Sequence, residues 1–209
     1  MATLKSVVKS RDTRNFIMRV LRFFPTPIYI SLYYWAATGK WPDLKHPTYF
    51  NEKLQWMKIH EDYTKYRDYA DKIKVRDIIE EKIGDGYMFP MLGKWKSFDE
   101  IDFDSLPEEF VLKCNHDSGS VKVIRNKSAL TDKDIESLRK FYNSRLKQDF
   151  YGYGREPCYK GIDRYVFAEK FMKDPSGDEG GIKDYKFFCF NGKPEIMFIA
   201  TDRATDVKF

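Results

Sequence analysis

The run Tyr185-Lys186-Phe187-Phe188-Cys189-Phe190 is followed by Asn191-Gly192 and then by Ile196-Met197-Phe198-Ile199. Asn-Gly between two apolar, β-prone runs is the strongest short-range hairpin signal, because the tight turn needs φ > 0 and these residues adopt it with least strain. One antiparallel strand pair is therefore fixed here. A second pair is expected after Pro107, where Phe110 to Cys114 and Ser120 to Ile124 read as strands joined by a short connection containing Gly119. Tyr165 to Ala168 is a further short apolar run.

Elsewhere the hydrophobic period is helical. Phe16 to Trp35 and Phe50 to Ile59 read as helices joined by Gly39-Lys40-Trp41-Pro42 and His46-Pro47-Thr48, with Phe50, Leu54 and Met57 forming one stripe. Asp71 opens another helix in which Val75, Ile78, Ile79 and Ile83 recur, and Gly84 ends it. Thr131 with Asp134 reads as a capping box with Asp in place of Glu, and Ile135, Leu138, Tyr142 and Leu146 supply the inward face of the helix that follows. Helices mixed with hairpins, rather than regular strand–helix alternation, point to an α+β fold with mainly antiparallel sheet. The chain changes character near residue 70, giving a helical N-terminal region over 1–70 and a mixed region over 71–209.

Composition narrows the class. Of 209 residues, 33% are charged and 42% hydrophobic, with 17 Phe, 14 Tyr and 4 Trp, enough for a sizeable core without disulfides. Three widely spaced cysteines, Cys114, Cys158 and Cys189, make neither a disulfide framework nor zinc-ligand spacing, so a reducing, cytoplasmic setting is expected. The net charge of +5 favours anionic partners without choosing among them. Lys5, Lys9, Arg11, Arg14, Arg19 and Arg22 make the first segment basic, and the apolar stretch Ile28 to Ala37 after it falls well short of the ~20 residues that span a bilayer. That segment reads either as a basic amphipathic helix followed by a buried one, broken at Pro25 and Pro27, or as a peripheral contact with anionic lipid at the inner face of a membrane.

Lys113 is the most informative residue. It sits between Leu112 and Cys114 at the end of a run that otherwise reads as buried strand. A buried ammonium without a partner loses several kcal/mol of solvation, roughly, so it must snorkel to water, pair with an acid, or meet a bound anion. The polar loop Asn115-His116-Asp117-Ser118-Gly119-Ser120 beside it could turn backbone N–H groups toward a phosphate. It is no Walker A loop, since no Gly-Lys-Ser/Thr enters a helix. Glu169 and Lys170 likewise emerge where an apolar run stops, as a binding pair or as an exposed strand-end pair. Asp184 and Lys186 fall on one strand face, roughly 6.6–6.8 Å apart, as site residues or as members of a salt-bridge ladder. Tyr151-Gly152-Tyr153-Gly154-Arg155-Glu156 could stack on nucleobases or form a packed, substrate-facing loop. Cys114 as nucleophile and His46, His60 and His116 as metal ligands have no supporting spacing.

Six segments in order resemble one family. They are His46 to Trp56; Ala70-Asp71-Lys72 with Val75-Arg76; Val111 to Gly119; Gly154-Arg155-Glu156; Ala168-Glu169-Lys170; and Asp184 to Gly192. Together they are similar to the ATP-grasp proteins of the teichuronopeptide-biosynthesis type, whose members are often labelled glycosyltransferases or polysaccharide-biosynthesis proteins. The resemblance implies an ATP-grasp fold and an ATP-dependent carboxylate–amine ligase. In that reaction a carboxylate is phosphorylated to an acyl phosphate and then attacked by an amine, here on an amino acid or acidic glycan of the cell envelope. It implies ATP and Mg²⁺ as cofactors. Lys72 and Lys113 correspond to the two phosphate-contacting lysines, and His116, Asp117, Ser118, Gly119 and Ser120 to the flexible phosphate-covering loop. Glu169 and Lys170 correspond to the adenine and ribose hinge, with the Phe171 backbone for the base edge; Lys186 and Arg203 correspond to cations near the transferred phosphoryl group. The metal-binding acids of such enzymes come on late strands. Neither Asp202 nor Asp206 sits in a Glu-x-Asn pattern, so the resemblance implies a C-terminally truncated member or a fragment. A sugar-nucleotide glycosyltransferase and a non-enzymatic basic binding module remain the alternatives; nucleic acid is not expected as a partner.

Overall fold

The computed structural model describes residues 20–21, 23–173 and 182–201. The chain divides between Glu169 and Lys170 into two compact units.

The first unit contains α1 (Thr26–Thr38), which carries no charged residue. Pro25 is its N-cap and Pro27 lies in its first turn, where a missing N–H costs nothing. Val20 and Leu21, inside the helix expected from Phe16 to Trp35, are helical, and the helix is interrupted over Phe23–Pro25, where the prolines were expected to break it. The basic residues from Lys5 to Arg19, with Arg22, lie outside the described residues. Tyr29, Ile30 and Ser31 are its buried positions. The Tyr29 hydroxyl donates to the Tyr153 carbonyl at 2.6 Å, and the Arg155 guanidinium lies 4.6 Å from its ring centre. The 151–156 segment thus stacks its arginine on the protein's own tyrosines. Arg155 is held at φ 50.

In α2 (Phe50–His60) the expected apolar stripe is not the buried one: Phe50 and Leu54 are exposed. The buried residue is Glu52. Its carboxylate accepts from the backbone N–H groups of Asp43, Thr48 and Tyr49 at 3.1–3.2 Å, and these bonds, led by that from Tyr49, hold its pKa below the usual carboxylate value. Capping chemistry outranks hydrophobic periodicity here. After the short α3 (Arg67–Ala70), α4 runs Lys74–Ile83 and stops at Gly84, φ 88. Asp71 precedes α4 instead of opening it, accepting from the Ile73 and Lys74 N–H groups at 2.9 and 3.4 Å. None of the expected α4 stripe is fully buried, and Ile83 is exposed.

A four-stranded sheet follows in the order β1-β4-β2-β3, formed by β1 (Met91–Trp95), β2 (Phe110–Cys114), β3 (Lys122–Ile124) and β4 (Val166–Lys170). β1 pairs antiparallel with β4, setting Met91 opposite Glu169 and Trp95 opposite Val166. β2 pairs antiparallel with β3, with Phe110 opposite Ile124. The β2–β3 hairpin is present, but β3 begins at Lys122 because Ser120 belongs to the connection. β1 is a strand the hydrophobic pattern alone does not announce. Helix α5 (Asp132–Leu146) begins with the expected capping box, Thr131 bonding Asp134 in both directions. Its Ile135, Leu138, Tyr142 and Leu146 pack against a core of Phe98, Leu106, Phe110, Leu112, Cys114, Val166 and Ala168. The Tyr142 hydroxyl lies 2.9 Å from the Leu112 carbonyl and 2.8 Å from the Ser120 carbonyl, tying α5 to both ends of the hairpin connection. A single helical turn, α6 (Tyr151–Gly154), precedes β4.

The second unit contains the hairpin of β5 (Asp184–Phe190) and β6 (Lys193–Ala200), turning at Asn191 (φ 51) and Gly192 (φ 78). Tyr185 faces Ile199, Phe187 faces Met197 and Phe188 faces Ile196. Among the described residues no helix is long and apolar enough to cross a membrane, and the three cysteines are free thiols.

Candidate functional site

Alternation along β2 buries Phe110, Leu112 and Cys114 under α5 and turns Val111 and Lys113 to the other face of the sheet. Glu169, near the end of β4, meets Lys113 there. Lys113 Nζ donates to Glu169 Oε2, and Arg76 Nη1, arriving from α4, donates to Oε1 at 2.9 Å. Arg76 Nη2 also donates to the Phe89 carbonyl. One carboxylate is thus gripped by two cations from different elements. The side chains are 7% (Glu169), 12% (Arg76) and 22% (Lys113) exposed, so Lys113 is the member most open to an approaching ligand. Ionised, the trio carries one unit of positive charge in a largely desolvated place, a setting that an anion relieves. A cavity of about 500 Å³ opens beside Arg76, walled by Ile73, by Arg76 and Glu80 of α4, by Tyr87, and by Met91 and Lys94 of β1.

The loop after β2 is held by its own polar groups. Lys72 Nζ donates to the carbonyls of Cys114 at 3.2 Å, Asn115 at 3.4 Å and Asp117. Burial pulls its pKa below the usual lysine value, and the nearby Asp117 carboxylate works against that fall. Asn115 Nδ2 donates to Asp71 Oδ1 at 2.9 Å and to the Asp163 carbonyl at 2.8 Å, while its Oδ1 accepts from Tyr165 N–H at 2.8 Å. Asp117 accepts from Ser120 Oγ at 2.5 Å and from Arg145 Nε at 2.6 Å. Arg145 Nη2 also donates to the Ser118 carbonyl. His116, Asp117 and Ser120 are buried, leaving Ser118 and Gly119 as the exposed tip.

His116 Nε2 lies 3.2 Å from the Arg145 carbonyl. A carbonyl only accepts, so Nε2 carries the proton, and Nδ1 is buried with no partner among the described residues. Burial lowers the pKa of this imidazole below 6.5. It also pushes the Cys114 thiol up to about 12, which keeps the sulfur protonated at neutral pH and inert as a nucleophile.

Of the residues singled out from sequence, Lys113 and Glu169 are in direct contact, and Lys72 lies beneath the 115–117 backbone. Lys170 is exposed at the end of β4, and Phe171 follows it half-buried. Lys186 belongs to the hairpin and pairs with Asp184 Oδ2 at 2.8 Å. Their cross-strand neighbours in the register are Phe198 and Ala200. Arg203, Asp202 and Asp206 lie outside the described residues. Two arginines that sequence reasoning gave no role prove central. Arg76 lies in the segment Ala70 to Arg76 that carries part of the family resemblance, and Arg145 follows the inward Tyr142 by three residues, a helical spacing that is the one sequence signal for it.

The antiparallel, helix-covered sheet and its order of motifs agree with an ATP-grasp protein. A family model described as TupA-like ATPgrasp matches residues 52–209, and the chain belongs to that family. No curated protein matches the chain, and no solved structure does.

Proposed function

We propose that the protein is an ATP-dependent carboxylate–amine ligase acting in cell-surface polysaccharide or cell-envelope biosynthesis. The observation that supports this most is the Lys113–Glu169–Arg76 cluster: a largely desolvated, net-positive group on the sheet face away from α5, with Arg76 lining a cavity whose volume suits a small-molecule ligand. In this reading Lys113 meets the nucleotide phosphates, and Lys72 braces the carbonyls that shape the loop of His116 to Ser120. Glu169, Lys170 and the Phe171 backbone meet the ribose and base, and Lys186 and Arg203 offset charge on the transferred phosphoryl group. ATP supplies the phosphoryl group that activates the acceptor carboxylate. Positioning and charge compensation by these cations are the protein's part in such chemistry.

Mg²⁺ is proposed as the companion of the nucleotide. Among the described residues no group of three His, Cys, Asp or Glu side chains gathers to hold a metal. The buried acids Glu52, Asp71, Asp117 and Glu169 are each engaged by backbone N–H groups or side-chain donors. Peripheral membrane contact belongs to the same proposal, supported by the charge-free α1 and by the exposure of Phe23, Ile28 and Tyr33.

Calorimetric titration tests the reading. ATP should bind in preference to a UDP-sugar, and Lys113→Met, which keeps much of the apolar stem, should abolish ATP binding while the protein stays folded. Equal affinity of wild type and Lys113→Met for ATP would overturn the site; preference for the UDP-sugar would favour a glycosyltransferase.

A further inference from the structure

We propose that Arg76 is a positioning residue that allows Lys113 to leave Glu169 for a phosphate without abandoning a buried carboxylate. The inference rests on the reading of Lys113 as a phosphate ligand. Each Glu169 oxygen has its own cation: Lys113 on Oε2 and Arg76 on Oε1. The two cations differ in freedom. Arg76 is anchored at both Glu169 and the Phe89 carbonyl and is the less exposed. Lys113 is the more exposed and carries its charge on a flexible stem.

With Glu169 alone, the departure of Lys113 would leave an unpaired charge in a site that is nearly closed to water, which is strongly unfavourable. With Arg76 in place, Glu169 keeps one charge-assisted bond and Lys113 exchanges one anion for another. Arg76 acts on the ligand through Glu169 and does not touch it. Loss of the Arg76 charge leaves Lys113 as the sole cation on Glu169, so phosphate binding weakens. Loss of the Glu169 charge as well sets Lys113 free, so phosphate binding returns.

The test is titration calorimetry of inorganic tripolyphosphate, alongside ATP, into the 209-residue protein and its variants. Tripolyphosphate has no ribose or base, so it reads the phosphate interaction apart from any contact of Glu169 with the nucleoside. Arg76→Met should bind tripolyphosphate about tenfold more weakly, equivalent to ~1.4 kcal/mol. Arg76→Lys should stay close to wild type, and Arg76→Met/Glu169→Gln should recover the affinity of Glu169→Gln. Should Arg76→Met fail to fold, Arg76→Gln, which keeps a donor without the charge, carries the same comparison against Arg76→Lys. Unchanged affinity in Arg76→Met, or a double variant as weak as the single, would overturn the proposal. If Lys113→Met weakens tripolyphosphate binding while Arg76→Met does not, only the role of Arg76 fails. If Lys113→Met has no effect, the phosphate reading fails and the role of Arg76 with it.

Discussion

Replacing Asp117 by Asn asks whether the connection between β2 and β3 is held by charge. Asp117 is 1% exposed and Arg145 is 16% exposed. The amide keeps the volume and one acceptor oxygen, so the bond from Ser120 Oγ can persist. What it offers Arg145 Nε is either a competing donor or a neutral oxygen. The charge-assisted bond at 2.6 Å is lost, worth ~1.5–3 kcal/mol, and a mostly buried guanidinium is left facing a neutral group. Breaking one side of a buried ion pair costs ~3–5 kcal/mol. Arg145 still reaches some water and still donates to the Ser118 carbonyl, so the lower end applies, ~3 kcal/mol. At ~2–4 °C per kcal/mol for a chain of this size, Tm should fall by roughly 6–12 °C. Denaturant titration followed by tryptophan fluorescence gives the free energy directly, and scanning calorimetry gives Tm. Asp117→Asn/Arg145→Met should cost at least ~1 kcal/mol less than the sum of the singles, since both remove the same pair. A single-variant loss below ~1 kcal/mol, or additivity within ~0.5 kcal/mol, would refute a charge-held loop.

His116 makes stability fall on mild acidification. Its folded pKa lies below the unfolded value near 6.5 because of burial, so below pH 6.5 the unfolded chain binds a proton that the folded chain refuses. Its contribution is full above 6.5 and is lost as pH falls toward the folded pKa. Tm should drop between pH 7.5 and 5.5, and His116→Gln should flatten that drop; an equal slope in both proteins would remove His116 as the cause. For membrane contact, cosedimentation with liposomes should require anionic lipid and weaken with added salt, whereas equal pelleting with neutral lipid would count against it.

The elements whose signals are local were legible in the sequence. Asn191-Gly192 forms the turn it announces, with both residues at positive φ, and Thr131 with Asp134 caps α5 as the spacing requires. Such features need only residues a few positions apart. The burial pattern of β2 was also legible, because a period of two decides which face Lys113 takes. Periodicity says which way a side chain points and nothing about what it meets. The cation that shares Glu169 with Lys113 is 93 residues away in sequence, and the helix supplying it leaves none of its apolar stripe fully buried. Arg145 reads as an ordinary charge in the last turn of a helix until the fold brings Asp117 against it. The stripe of α2 misled because Glu52, a polar residue, satisfies three backbone donors and is drawn inward with them. β1, with a glycine at its centre and no β-branched residue, gains its place from pairing with β4.

The clasp between Tyr29 and the Tyr153 carbonyl spans 124 residues, and that separation has a consequence on the ribosome. At ~5–20 residues per second, roughly 6–25 s pass between synthesis of the tyrosine and synthesis of its acceptor. Throughout that interval α1, thirteen residues without a charge, has neither the hydrogen-bond acceptor nor the Arg155 stacking that later secure its buried face. The buried face of α1 therefore stays without these two contacts until Arg155 has been synthesised. Moving Tyr153 and Arg155 later in the chain, by a longer insertion in the loops between, would lengthen that interval in proportion.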